Sequence, residues 1–246
     1  MDLQLLTFVA IGLVAQLVDG ALGMAFGIVA SSALIFVGAA PAIASAAVHA
    51  AEIVTTGVSG VSHLWNRNVD RRLFFQLVFT GAAGGALGAY VLAGLPEPII
   101  KPIMTVYLAV MSAMIVARIL GWQLRQWRPR IPLLGAAGGF LDAAGGGGWG
   151  PLVASTLIAG GDQPRRAIGS VNLAEFFVTV SVSITFLTQL DFSRYGKLVI
   201  GLIIGGAIAA PLAGYLLRVL PTRVALLLVA VAVMAVSAAN LISLLK

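Results

Sequence analysis

No cysteine occurs anywhere in the chain, so disulfides, thiolate metal sites and thiol nucleophiles are all excluded. Charge is scarce as well. Only 10% of the 246 residues are Asp, Glu, Lys or Arg, against roughly a quarter in an ordinary soluble domain. With 60% apolar residues and a mean hydropathy of +1.03, no water-soluble fold could bury so much side chain, and the core must be shared with lipid. Catalytic signatures are missing too. His49-x-x-Glu52 lacks the second histidine of a zinc helix, there is no Gly-x-Ser-x-Gly elbow, and no Gly-Lys-Ser/Thr follows either glycine-rich loop. The chain is therefore read as a non-enzyme with no cofactor and no metal. The net charge of +6 does not point to nucleic acid, because the basic residues sit in short clusters between apolar runs rather than along one face. Met1-Asp2-Leu3-Gln4 has no basic n-region and reads as mature protein rather than a cleaved signal.

What is there is a series of apolar runs, at 3–18, 24–38, 42–65, 73–94, 98–119, 131–141, 150–160, 165–189, 196–217 and 223–245, bounded by Gly, Pro or charge. Four are too short to cross a bilayer alone. They form two pairs, 3–18 with 24–38 and 131–141 with 150–160, each joined by a glycine loop: Gly20-Ala-Leu-Gly23 and Gly145-Gly-Gly-Gly148. Each pair reads as two half-helices meeting near the midplane.

The second half of the chain repeats the first. Asp19 and Asp142 lie 123 apart, and at that offset 14 of the 41 pairs from 19/142 to 59/182 are identical, where chance would give about four. The matches include Gly23/Gly146, Gly27/Gly150, Pro41/Pro164, Glu52/Glu175 and Thr56/Thr179. The expected organisation is one membrane domain: repeat 1 over about 1–120, a basic linker 121–130, and repeat 2 over about 131–246. If each short pair is a re-entrant hairpin, every repeat has an odd number of crossings and the second copy is inverted. Eleven of the 15 Lys and Arg then share the inner side, against ten if the repeats are parallel. The fold class expected is thus an all-α polytopic membrane protein of two inverted repeats, each a re-entrant half-helix hairpin plus three transmembrane helices.

Acids inside apolar segments are the residues that need a reason, since each costs about 2.5–3.5 kcal/mol on insertion scales. Only Asp19, Glu52, Asp142 and Glu175 lie so, and they are the two repeat-related pairs; no Lys or Arg lies at comparable depth. Ser45, His49, Glu52, Thr56, Ser59 and His63 are spaced 4, 3, 4, 3 and 4 apart, which places them on one stripe of a helix. The second copy keeps Asn172, Glu175 and Thr179 at the equivalent positions, so His49, Asn172, Thr56 and Thr179 join the glutamates as candidate site residues. Their structural alternative is hydrogen bonding between packed helices. Asp19 and Asp142, beside glycine turns, are expected to cap the loops by accepting from freed backbone N–H groups. The loops themselves, with Gly23, Ala25, Gly146, Gly147, Gly148 and Trp149, would aim N–H groups and a positive helix end at an anion. A side chain at Gly147 or Gly148 should then cost transport more than folded yield. Glu52 and Glu175 are candidate proton-coupling groups: a neutral carboxyl donates a hydrogen bond to an oxyanion, whereas the ionised form repels it. His49 should strengthen that coupling in the first repeat.

The paired loops LVDGALGMAFG and FLDAAGGGGWG, the small-residue helices after Pro41 and Pro164, and the stretch VSGVSHLWNRNVD resemble the sulfite exporter TauE/SafE family, over both repeats. The first loop is poorer in glycine than the family pattern. The resemblance implies a multi-pass protein of the bacterial inner (plasma) membrane that moves a sulfur-containing oxyanion such as sulfite, a sulfonate, thiosulfate or sulfate, with protons as candidate co-substrate and the bilayer as surroundings. Two other readings remain open here, a proton- or cation-handling transporter and a non-transporting membrane scaffold; the oligomeric state is unknown.

Overall fold

The computed structural model describes residues 2–22, 25–121 and 130–219, together with 234, 235, 238, 239 and 242. Gly23, most of the basic linker and most of the apolar run 223–245 lie outside the described residues. Those described are mainly helical, without a strand: α1 (Leu3–Leu22), α2 (Phe26–Phe36), α3 (Pro41–Trp65), α4 (Arg71–Gly94), α5 (Glu97–Ile119), α6 (Ile131–Gly145), a π-helical turn (Gly150–Ala154) that runs into α7 (Ser155–Ala159), α8 (Pro164–Gln189), a short 3-10 helix (Phe192–Arg194) and α9 (Gly196–Val219). Among them α3, α4, α5 and α8 are long and apolar enough to cross a membrane.

The boundaries follow from local chemistry. α3 and α8 each begin at a proline preceded by an extended residue, Ala40 and Gln163, because proline fits the first helical turn and pushes its predecessor out of helical geometry. Asp70 caps α4 by accepting from the Leu73 N–H at 3.0 Å. α6 stops where Gly146 turns left-handed, at φ 77°. α1 runs 20 residues to Leu22, past the end of its apolar run at residue 18.

Helices α3 and α8 lie side by side at the centre, α4 packs on α6 and α8, and α1 packs on α9. Both outer pairs are joined through glycine. A Cβ on Gly84 or Gly88 of α4 would run into the backbone of Ala136 or Phe140 of α6, and one on Gly12 of α1 or Gly205 of α9 into the backbone of Leu202 or Val9 opposite. Small residues are how helices gain contact in lipid, where no hydrophobic driving force separates them from the solvent.

At one end of the molecule the α3–α4 turn meets the start of α8. Arg165 donates from Nε to Asn68 Oδ1 and from Nη2 to the Asn66 carbonyl, the latter at 3.3 Å, and the Asp70 N–H donates to Ser170 Oγ at 2.8 Å.

Candidate functional site

A cavity of about 550 Å³ lies between α3, α8, α9, the end of α1, the start of α2 and the second glycine loop. Its polar lining comes from Gln16, Asp19, Glu52, Thr55, Thr56, Ser59, Ser62, His63, Asn172 and Glu175, and its glycine lining from Gly27, Gly148, Gly150 and Gly206. No Lys or Arg among the described residues lines it. The second half of α3 and the first half of α8 form two of the walls. On the other side of the glutamates, Ser45, His49, Thr179, Val182 and Phe186 are buried and do not line the cavity.

The structure thus brings together six of the sequence candidates: Asp19, Glu52, Thr56, Gly148, Asn172 and Glu175. Glu52 is 5% exposed with Oε2 left without a hydrogen-bond partner, an arrangement that calls for a proton, water or ligand to satisfy it. Thr56 donates back to the Glu52 carbonyl at 2.6 Å. Asn172 reaches His63 Nε2 at 3.3 Å from its Nδ2.

The remaining candidates among the described residues sit around the cavity rather than in it. His49 is fully buried. Its Nδ1 lies 2.8 Å from the Ser45 carbonyl oxygen, which can only accept, so Nδ1 carries a proton. Its Nε2 lies 3.1 Å from Asp142 Oδ2. One proton is shared there, either on imidazolium facing carboxylate or on carboxylic acid facing neutral imidazole, and the unit is neutral both ways. Asp142 uses its other oxygen to accept the Trp149 N–H at 2.8 Å, while its backbone carbonyl accepts from Gly147 N–H at 2.8 Å. Trp149 is wholly buried and donates from Nε1 to the Val171 carbonyl at 3.1 Å. Thr179 donates to the Phe176 carbonyl at 2.9 Å. Gly146 accepts from Ser31 Oγ, and Gly147 lies against Gly27.

At the first loop Asp19 Oδ1 accepts from the N–H groups of Ala25, at 2.7 Å, and Phe26, at 3.1 Å. The N–H groups of Ala25, Phe26 and Trp149 are therefore already held by carboxylates. An anion in the cavity would meet Gly148, Gly150 and side-chain donors instead.

Sequence reasoning passed over Gln16 and ranked Ser59 and His63 below His49, yet all three line the cavity. The signal was present. Ser59 and His63 continue the stripe through Glu52, and Gln16 stands one helical turn before Asp19, on the same face of α1. Gln16 is 9% exposed and its Oε1 has no partner.

A family model described as Sulfite exporter TauE/SafE matches residues 8–241. The chain is also similar to a probable membrane transporter protein, YtnM, of Bacillus subtilis (strain 168): 41% identical over 229 residues, covering 87% of this chain and 75% of the relative. No solved structure matches. With residues 8–241 matched and the described residues forming an apolar helical architecture, the chain belongs to the sulfite exporter TauE/SafE family and is a multi-pass membrane transporter.

Proposed function

We propose that this transporter carries a small sulfur-containing oxyanion through the cavity between α3 and α8, and that Glu52 and Glu175 take up protons with it. The observation that carries the reading is the pairing of two repeat-related glutamates with amide, hydroxyl and glycine-backbone donors around one cavity, in a member of this family. An oxyanion is all acceptor, so a ring of carboxylates admits it only when they are protonated and donate. Protonation and anion binding then favour each other. Transport should rise as pH falls, and Gln, which is permanently neutral and a donor, should flatten that dependence. Anion uptake into liposomes measured against pH for Glu52→Gln, Glu175→Gln and the double variant tests this. Wild-type pH profiles and rates in all three would return the two acids to helix packing.

One feature favours a second reading: the cavity has three carboxylates in its described lining and neither Lys nor Arg. A proton- or cation-handling transporter would look the same. Sodium flux without any sulfite-dependent flux in the same liposomes would establish that alternative.

The chain is further read as two inverted repeats. In support, α3 and α8 start 123 residues apart, at Pro41 and Pro164. The α1–α9 contact pairs the first helix of one half with a late helix of the other, as α6–α4 does in reverse. The contact of Arg165 with Asn66 and Asn68 agrees with a shared side for residues 66–72 and 162–166, the side that the basic residues mark as cytoplasmic. Since no native cysteine exists, single cysteines at Asn68 and Gln163 should both be labelled from the cytoplasm only. Labelling from opposite sides would replace the inverted arrangement with a parallel one.

A further inference from the structure

A second cavity, of about 1240 Å³, lies at the end of the molecule where α4, α6 and α8 all begin. Arg72, Arg130 and Arg166 line it, one from each of these three segments, with Gln76 and Gln163 beside them. Two acids share the lining, Asp70 and Asp162. Asp70 is engaged in capping, accepting from Leu73 N–H. No ion pair among the described residues involves any of the three arginines; Arg165, their neighbour, is turned instead to Asn68 and Asn66. Three helix N-termini add their positive ends to the same space, and no side chain caps α6 or α8. On the α6 wall the lining turns apolar at Pro132 and Leu133, and Leu133 is 65% exposed.

We propose that this cavity binds a phosphate-bearing anion, and that its occupant is the headgroup of an anionic phospholipid. The arginine fork suits phosphate oxygens, and it comes from chain segments far apart in sequence, so the charges converge only in the fold. An exposed leucine beside the guanidinium groups distinguishes a lipid from a free phosphate, since a soluble anion gains nothing from it whereas an acyl chain covers it. Interfacial residues continue in the sequence, where the linker leading to Arg130 carries Trp122, Arg125, Trp127 and Arg128. The inference does not rest on the cargo proposed above, because binding is read without flux.

The test uses the whole protein, purified in a neutral detergent and offered phosphatidylglycerol or phosphatidylcholine, with retained lipid counted by native mass spectrometry. Phosphatidylglycerol should be retained over phosphatidylcholine, and retention should weaken with salt. Each of Arg72→Gln and Arg166→Gln should lower retention by about fivefold, the worth of about one interfacial charge. Asp162→Asn, which removes the opposing charge, should raise it. Arg194→Gln, in the short 3-10 helix before α9 and outside this cavity, should change nothing. A final arm adds glycerol phosphate and inorganic phosphate as competitors. Retention that survives both identifies a lipid. Phosphate binding that depends on Arg72 and Arg166, without lipid enrichment, overturns the lipid and keeps only the phosphate site. Equal retention of the two lipids with no phosphate binding, or wild-type retention in both arginine variants, overturns the proposal altogether. Should a variant not fold, the salt dependence of the unmodified protein decides the matter: retention of phosphatidylglycerol that is indifferent to salt also overturns the site.

Discussion

Replacing Gly147 with Val is expected to remove most folded protein, rather than leave a folded transporter that fails to transport. Gly147 has φ 134°, a backbone region that residues with a Cβ rarely enter. A Cβ there would lie 2.5 Å from the Gly27 carbonyl carbon and 2.7 Å from the Ile28 nitrogen. These are backbone atoms in the first turn of α2, a helix buried on almost every side, so they cannot rotate out of the way. Strain of about 1–3 kcal/mol and overpacking of about 1–3 kcal/mol together remove a large part of a stability of about 5–15 kcal/mol. Gly148 differs. Its φ of 137° carries the same strain, but its Cβ would meet the hydroxyl of Tyr107, the far end of a side chain that can be shortened. Gly148→Ala should therefore lower folded yield less than Gly147→Val, and Tyr107→Phe should restore part of the loss. Size-exclusion profiles of fluorescent fusions read all of these. Wild-type yield from Gly147→Val, with transport lost, would show that the loop acts as a ligand and not as a packing element. The sequence alone points to that second outcome for both glycines. The close approach of Gly147 to α2 is what changes the expectation.

The second large effect is expected at Asp142. Ala at this position leaves the buried His49 Nε2 without its hydrogen-bond partner and the Trp149 N–H without its acceptor. Removing one member of a buried pair costs about 3–5 kcal/mol, because the other stays behind unsatisfied. Asp19→Ala, its repeat equivalent, should cost only about 0.5–2 kcal/mol, the usual range for a lost helix cap. The difference has a physical source: Asp19 lines the cavity, so water can take over its two N–H partners, whereas Asp142 is 2% exposed and partnered by a residue with no exposure at all. Thermal unfolding of the purified variants should rank Asp142→Ala well below Asp19→Ala. In a double-mutant cycle, His49→Leu should cost less in the Asp142→Leu background than alone, with a coupling of about 0.5–3 kcal/mol. Equal melting of the two alanine variants would dissolve the distinction between a sealed pair and a wet cap.

The same pair shows why the site was only partly legible beforehand. Helical periodicity placed His49, Glu52, Thr56 and His63 on one stripe of α3, and all four do face inward. Periodicity cannot say which neighbour each meets. In the fold the stripe is divided: its first half, at Ser45 and His49, is held against the last turn of α6 through Ala143 and Asp142, and its second half, from Glu52 to His63, faces the cavity. Asn172 and His49 occupy equivalent positions in the two copies, yet one lines the cavity and the other does not. Sequence equivalence relates their places in a repeat, whereas α3 and α8 offer different halves to the same space.

By itself, the sequence determined the membrane class, the all-helical architecture, the proline starts of α3 and α8, the carboxylates that hold the loop N–H groups, and the central position of Glu52 and Glu175. Each of these depends on composition, periodicity or bonds between near neighbours in the chain, which any conformer of the local segment must respect. Tertiary structure alone decided that His49 belongs to Asp142, that Gly147 rests on Gly27, that Gln16 and His63 reach the cavity, and that Arg72, Arg130 and Arg166 converge. These are contacts between residues far apart in the chain, or charges brought together by separate helix ends. No local preference encodes such neighbours; close helix packing in the folded chain sets which side chains share a space.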